Sequence, residues 1–249
     1  MRYYVTADVH GFYTLMTDAL ERAGFFTDAE PHKLIILGDL FDRGNEALSM
    51  QRFVLEQMDK GEIILVKGNH EDLFSDLVTI DNGLPYSHHI SNGTYDTAFQ
   101  LTGIGSLEEW KDCEDLAEKG RKTPYYTRII PAMRDCYETE HYVFVHGWIP
   151  CRKNADGSIS PRPDWRDASG QDWYDARWIN GMDAARTETE GKTILCGHWH
   201  TSYGHSRYEG KGTEFGPDAD FSPYYGPNII AMDACTAYSG TVNCIVIED

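Results

Sequence analysis

The 249-residue sequence has no Cys-x-x-Cys pair among its six cysteines. Cys113, Cys136, Cys151, Cys196, Cys235 and Cys244 are scattered, several of them in apolar runs, and read as free thiols packed as small hydrophobes in a reducing compartment. No apolar run approaches the ~20 residues of a membrane span. An apparent strand begins at Arg2, which leaves no room for a signal peptide, so a cytoplasmic location with no membrane partner is expected. Positive charge is also scarce. Against 40 Asp and Glu stand only 22 Lys and Arg, a net charge of −18, which argues against nucleic acid, whose backbone demands a basic face. A phosphorylated protein or small phosphoester remains compatible where Arg and metal ions make one pocket locally positive. There is no internal repeat, no low-complexity segment and no composition break, so residues 1–249 are expected to form one domain.

What is present alternates strand and helix. Arg2 to Ala7 reads as a first strand, and Phe12, Leu15, Met16, Ala19 and Leu20 recur at helical spacing before Gly24. Lys33 to Leu37 reads as a second strand, followed by a helix with Met50, Phe53, Val54 and Met58 on one face, capped by Asn45 and stopped at Gly61. Glu62 to Lys67 is a third strand. This order argues for an α/β fold with parallel strands. Residues 81–140 depart from it, polar and then weakly helical, and read as a cap or pocket wall containing His88 and His89. Sheet texture returns at Tyr142 to Val145, Thr193 to Cys196, Ile229 to Met232 and Thr241 to Ile247, with a Gly-, Pro- and Tyr-rich loop at His205 to Asn228.

The ends of five strands carry the chemistry. They finish in Asp8 with His10, Asp39, Asn69, His146, and His198 with His200. Open α/β sheets bind ligands beyond the carboxyl ends of their strands. Asp39 to Arg43 alone could equally be a turn whose Asp caps a helix. Five strand ends bearing carboxylate, amide oxygen and imidazole are instead the donor set of divalent transition metals. In extended chain, alternation would send Asp8 and His10 to one side, and likewise His198 and His200.

The blocks D-V-H-G at Asp8, G-D-L-F-D-R-G at Gly38, G-N-H-E at Gly68, V-H-G at Val145 and G-H at Gly197 resemble the signatures of the calcineurin-like metallophosphoesterases. Within that superfamily they look most like the phosphoprotein phosphatase branch, of bacterial or phage type. N-G-T-Y-D-T at Asn92 and D-A-C-T-A-Y-S-G at Asp233 are similar to bacterial blocks, with Thr94, Ala234 and Ser239 replacing glycine or Thr, and Lys67 stands where many members have Arg.

The resemblance implies a four-layer α/β/β/α sandwich with an inserted cap region and two divalent metal ions, manganese foremost, iron or zinc as alternatives. By position, Asp8, His10 and Asp39 would hold one metal, and Asp39, Asn69, His146 and His198 the other. His200 is a ligand or a pocket residue, and alternation favours the ligand. His70, oriented by Asp42, would assist the leaving group. Arg43 would bind phosphate, with Arg177 as second arginine and Arg166 as its competitor. The expected activity is metal-dependent phosphomonoester hydrolysis, with serine/threonine protein phosphatase as the main reading. The alternatives are a dinucleoside polyphosphate hydrolase, for which Trp173, Trp178, Tyr224 and Tyr225 could stack a base, and a binding module that lost its chemistry.

Overall fold

The computed structural model describes residues 1–79, 86–105, 113–155, 157–185 and 191–249. Strand β1 (Arg2–Thr6) pairs in parallel with β2 (His32–Leu37), which pairs in parallel with β3 (Ile63–Val66). Leu34 to Leu37 are all buried, the unbroken apolar run of a strand covered on both faces. Alternation then divides the layers. Tyr3, Val5, Ile35, Leu37, Ile64 and Val66 face the second sheet, whereas Tyr4, Leu34, Ile36 and Leu65 face helices.

Those helices form as their spacing predicts. In α1 (Tyr13–Ala23) Met16, Ala19 and Leu20 are buried, and Gly24 ends the helix at φ 91°, its N–H returning to the carbonyls of Leu20 and Glu21. In α2 (Ala47–Lys60) Met50, Phe53 and Val54 are buried. Asn45 is not its cap: the residue before the helix is Glu46, whose carboxylate is turned to the N–H and hydroxyl of Thr14.

Next come α3 (Asn69–Thr79), α4 (Tyr86–Asn92), α5 (Thr94–Thr102), α6 (Cys113–Gly120) and α7 (Ile130–Ala132). Within the stretch read as a cap, Tyr95, Ala98, Phe99, Leu116, Tyr125 and Ile129 join the same core as α1 and α2. Much of that stretch is therefore the outer helical layer of the first sheet.

The second sheet has β4 (Tyr137–Glu138) antiparallel to β5 (Tyr142–Phe144), then a hairpin apart from it, β6 (Cys151–Lys153) with β7 (Ile159–Pro161). Strand β8 (Thr193–Cys196) is parallel to β5, and β9 (Tyr224–Gly226) is antiparallel to β10 (Ile229–Ala231), itself parallel to β8. The last strand, β11 (Ile245–Glu248), joins the first sheet antiparallel to β1. Phe144, Leu195, Ile230 and Met232 meet the inner face of the first sheet, while Val143, Ile194 and Ala231 pack outward on Trp148, Trp165, Trp173 and Met182. Two sheets between two helical layers give the α/β/β/α sandwich. Residues β4, β6, β7 and β9 span only two or three positions each, too few to leave an alternating pattern. Among the described residues no helix is long and apolar enough to cross a membrane, and Cys136, Cys151, Cys196, Cys235 and Cys244 are free.

Candidate metal centre

Strands β1, β2 and β3 run parallel, as do β5, β8 and β10, so their carboxyl ends deliver the loops that follow to one rim. The turns there are sharp. Of eight non-glycine residues at positive φ among those described, seven lie in these loops: Asp8, His10, Asp39, Asp42, Arg43, His198 and Cys235. Each such conformation costs on the order of 1–3 kcal/mol and persists only where surrounding contacts impose it.

Two groups of side chains converge. Ligand atoms of His10, Asp39 and His70 lie within 4.8 Å of one another, as do those of Asp39, His146 and His198. Asp39 belongs to both, 3.7 Å from His10 Nε2 through Oδ2 and 3.4 Å from His146 Nε2 through Oδ1. Asn69 joins the second group, its side-chain oxygen 2.8 Å from His146 Nε2 and 3.1 Å from His198 Nδ1. Asp8 is buried at the same rim, but both of its oxygens accept from the His198 N–H at 3.0 Å. The approach is so close that a Cβ on Gly197 would lie 2.0 Å from Asp8 Oδ2.

His200 stands apart: its Nε2 faces Glu214 Oε1 at 2.8 Å. Alternation does not apply there, because His198 is left-handed at φ 66° and the chain is not extended. The same holds for Asp8 and His10, at φ 51° and 46°.

The donors suit divalent cations. His10 and His146 each donate Nδ1–H to a backbone carbonyl, Phe41 O at 2.8 Å and Leu37 O at 2.7 Å, which leaves Nε2 directed at the centre. Burial, reinforced by the charge of Arg43, holds His10 well below the ordinary histidine range, and burial next to His146 takes His198 down to about 3; both are neutral, as ligands must be. Burial opposes ionisation of Asp39, but the electrostatic influence of His146 and His70 beside it outweighs burial and holds it well below the usual carboxylate range. Burial and the neighbouring Asp233 and Asp39 raise Asp8 well above the carboxylate range, and burial takes Asp233 to about 6. Three buried carboxylates at one rim are an excess of negative charge that cations would relieve.

Beside this centre is a buried histidine–carboxylate pair. His70 Nδ1–H donates to Asp42 Oδ2 at 2.6 Å. Burial disfavours the His70 cation, yet the charge of Asp39 and the bond to Asp42 outweigh it and raise its pKa above the ordinary value. Asp42 is held from the other side by α5: Thr94 donates to Oδ2 at 3.0 Å, and Thr97 donates to Oδ1 at 2.7 Å while accepting the Asp42 N–H at 2.9 Å. The Arg43 guanidinium lies 2.5 Å from His10 Nε2 and 3.2 Å from His70 Nε2.

Arg177 is buried with its guanidinium on Asp72 Oδ2 at 3.0 Å and Asp135 Oδ1 at 2.5 Å, and Lys67 pairs with the same Asp72. Arg166 lies elsewhere, paired with Glu138 at 2.8 Å and 3.0 Å.

Three sets of residues had no assigned role. Glu71 accepts from the N–H groups of Asp39, Leu40 and Gly68 and from the Tyr125 hydroxyl, locking two ligand loops together. Thr94 and Thr97 orient Asp42. Asp233 follows β10 as Asp39 follows β2, so the strand-end rule applied to Ile229 to Met232 would have found it.

Fold and site together define a phosphoester hydrolase of the kind that uses divalent metal ions. The chain belongs to the calcineurin-like phosphoesterase family, whose sequence profile matches residues 1–231. It is 28% identical over 208 residues, 80% of this chain and 79% of the relative, to the bis(5'-nucleosyl)-tetraphosphatase PrpE [asymmetrical] of Bacillus subtilis (strain 168). A shorter match, 38% identical over 71 residues (28% of this chain and 24% of the relative), is to the symmetrical bis(5'-nucleosyl)-tetraphosphatase of Nitrosospira multiformis. In fold it is similar to the cold-active protein-tyrosine phosphatase of a psychrophilic Shewanella, with a TM-score of 0.55 at 15% identity over 100% of this chain and 75% of that one.

Proposed function

We propose that this protein hydrolyses a dinucleoside polyphosphate, using two divalent metal ions, manganese foremost. His10, Asp39 and Asp8 would hold one ion, and Asp39, Asn69, His146 and His198 the other; His200, with Nε2 turned to Glu214, would be a pocket residue. When bound, the ions supply positive charge to the phosphoryl oxygens and acidify a water for attack on phosphorus. The chain does the rest. Arg43 offers two N–H groups to the phosphoryl oxygens. His70, fixed by Asp42 through Nδ1, presents Nε2 to the departing oxygen and gives it a proton, and its raised pKa favours that protonated form. Arg177 acts on phosphate only if it leaves Asp72 or Asp135.

The observation that carries the substrate class is the likeness to the Bacillus subtilis tetraphosphatase over most of both chains. Trp178 supports it. Of the four aromatics able to stack a base, Trp173 and Tyr224 are buried; Tyr225, on β9, and Trp178 are 60% and 39% exposed, and of these two Trp178 has its ring 5.8 Å from that of His198. The ring of His88 on α4 lies 6.4 Å from that of Trp178. The protein phosphatase reading draws no support from the sequence relatives named above.

The test compares diadenosine tetraphosphate, a phosphoserine peptide and an aryl phosphate on manganese-loaded protein, before and after chelation. A kcat/KM for the dinucleotide at least a hundredfold above that for the peptide is expected, with all turnover lost on chelation. The reverse order would return the protein phosphatase reading.

A further inference from the structure

Arg43 also borders a space other than the metal rim. With Asn45, Asp96, Phe99, Gln100 and Ile104 it lines an open cavity of about 640 Å³. This volume lies within the ~300–1,000 Å³ range of small-molecule sites. The wall nearest the catalytic loop is fixed: Gln100 Nε2 donates to the Gly44 carbonyl at 3.0 Å and its Oε1 accepts the Ala47 N–H at 2.9 Å. Phe99 is nearly buried and forms an apolar floor with Ile104. Two polar groups on the rim have no such commitment. Asn45 and Asp96 are exposed and make no hydrogen bond or ion pair with the described chain.

The lining combines a guanidinium that also reaches the metal rim, an amide and a carboxylate, and an aromatic and an aliphatic surface. A nucleotide carries the groups these would bind: phosphate, sugar hydroxyls and a base. We propose that this cavity is the binding site for one nucleoside of a dinucleoside polyphosphate, with the chain of phosphates passing over Arg43 to the metal centre. Asp96 accepts from the ribose hydroxyls, Asn45 reads the polar edge of the base, and Ile104 and Phe99 cover its face. The other nucleoside then lies across the centre at Trp178, the exposed aromatic beside His198. The site is thus two-ended, with the phosphorus under attack between an aromatic ledge at Trp178 and an open cavity lined by Phe99 and Ile104. This assignment rests on the dinucleoside polyphosphate reading of the same site.

The experiment separates the two. Asp96→Ala removes the carboxylate from an exposed position, and Ile104→Trp fills the cavity. For each variant and the parent, KM is measured for diadenosine tetraphosphate and for an aryl phosphate, which carries no nucleoside and does not reach the cavity. The expected result is a rise of about tenfold or more in the ratio of the dinucleotide KM to the aryl phosphate KM, the scale on which one pocket contact discriminates between substrates. A parent enzyme that turns over the dinucleotide, with variants whose ratio stays within twofold of the parent's, would overturn the cavity assignment alone. A parent that turns over the aryl phosphate but not the dinucleotide would overturn both.

Discussion

Thr97→Val takes away one hydroxyl and keeps the shape of the side chain. That hydroxyl donates to Asp42 Oδ1 at 2.7 Å and accepts the Asp42 N–H at 2.9 Å, and both residues are about 1% exposed. Losing a hydrogen bond to a buried charge costs about 1.5–3 kcal/mol, and orphaning the N–H adds ~1 kcal/mol or more, against a small gain from the more apolar valine. The net destabilisation is therefore about 2–4 kcal/mol, a fall of roughly 10 °C in Tm for a domain of this size. The catalytic effect is separate. Asp42 keeps Thr94 and His70 but loses the contact that fixes its other oxygen, so His70 is held less firmly under the departing oxygen. The assay is kcat across a series of aryl phosphates of rising leaving-group pKa. Poor leaving groups, which need the proton, are expected to lose about tenfold or more and good ones much less. Thr97→Ser retains the hydroxyl and is expected to restore the parent pattern. A loss that is equal across the series, or one confined to KM, would refute the chain of argument from Thr97 through Asp42 to His70.

Gly68→Ala places a Cβ 2.2 Å from Asp39 Oδ1, so the shared carboxylate is displaced; metal content by elemental analysis is expected to fall below that of the parent together with activity. Asp28, which accepts from Arg2 and from the Tyr4 hydroxyl, each at 2.7 Å, is held by them well below the usual carboxylate range. Its folded pKa is depressed, so its contribution is fully present above about pH 4 and is lost as pH falls through the lowered value. Urea unfolding of Asp28→Asn between pH 2 and pH 5 is expected to show a shallower dependence of stability on pH than the parent, and an identical slope would rule this pair out as a source of acid sensitivity.

The parts of the site that could be read from the sequence are those set by local chain. Apolar runs at Arg2, Lys33 and Glu62 become β1, β2 and β3, and the charged residues just after them stand at the rim. What could not be read has two physical origins. Left-handed backbone at Asp8, His10 and His198 is imposed by tertiary contacts, so alternation gave no guide to where Asp8 and His200 point. Long-range pairing is equally silent: Thr97 is 55 positions from Asp42, and Arg177 is 105 from Asp72. The division into two sheets came from resemblance, because strands as short as β4 and β9 carry no period of their own.

The seven left-handed residues at the rim have a consequence for any effort to harden this protein. Glycine adopts that backbone freely, and the present side chains do not. Replacing Arg43 or Cys235 by glycine therefore relieves strain, as would the same change at Asp42, although there the loss of its hydrogen bonds opposes the gain. A selection that rewards heat tolerance alone would accumulate glycines around the rim and discard the groups proposed to bind metal and phosphate. Selection for turnover has to hold them there, generation after generation, against a steady thermodynamic pull.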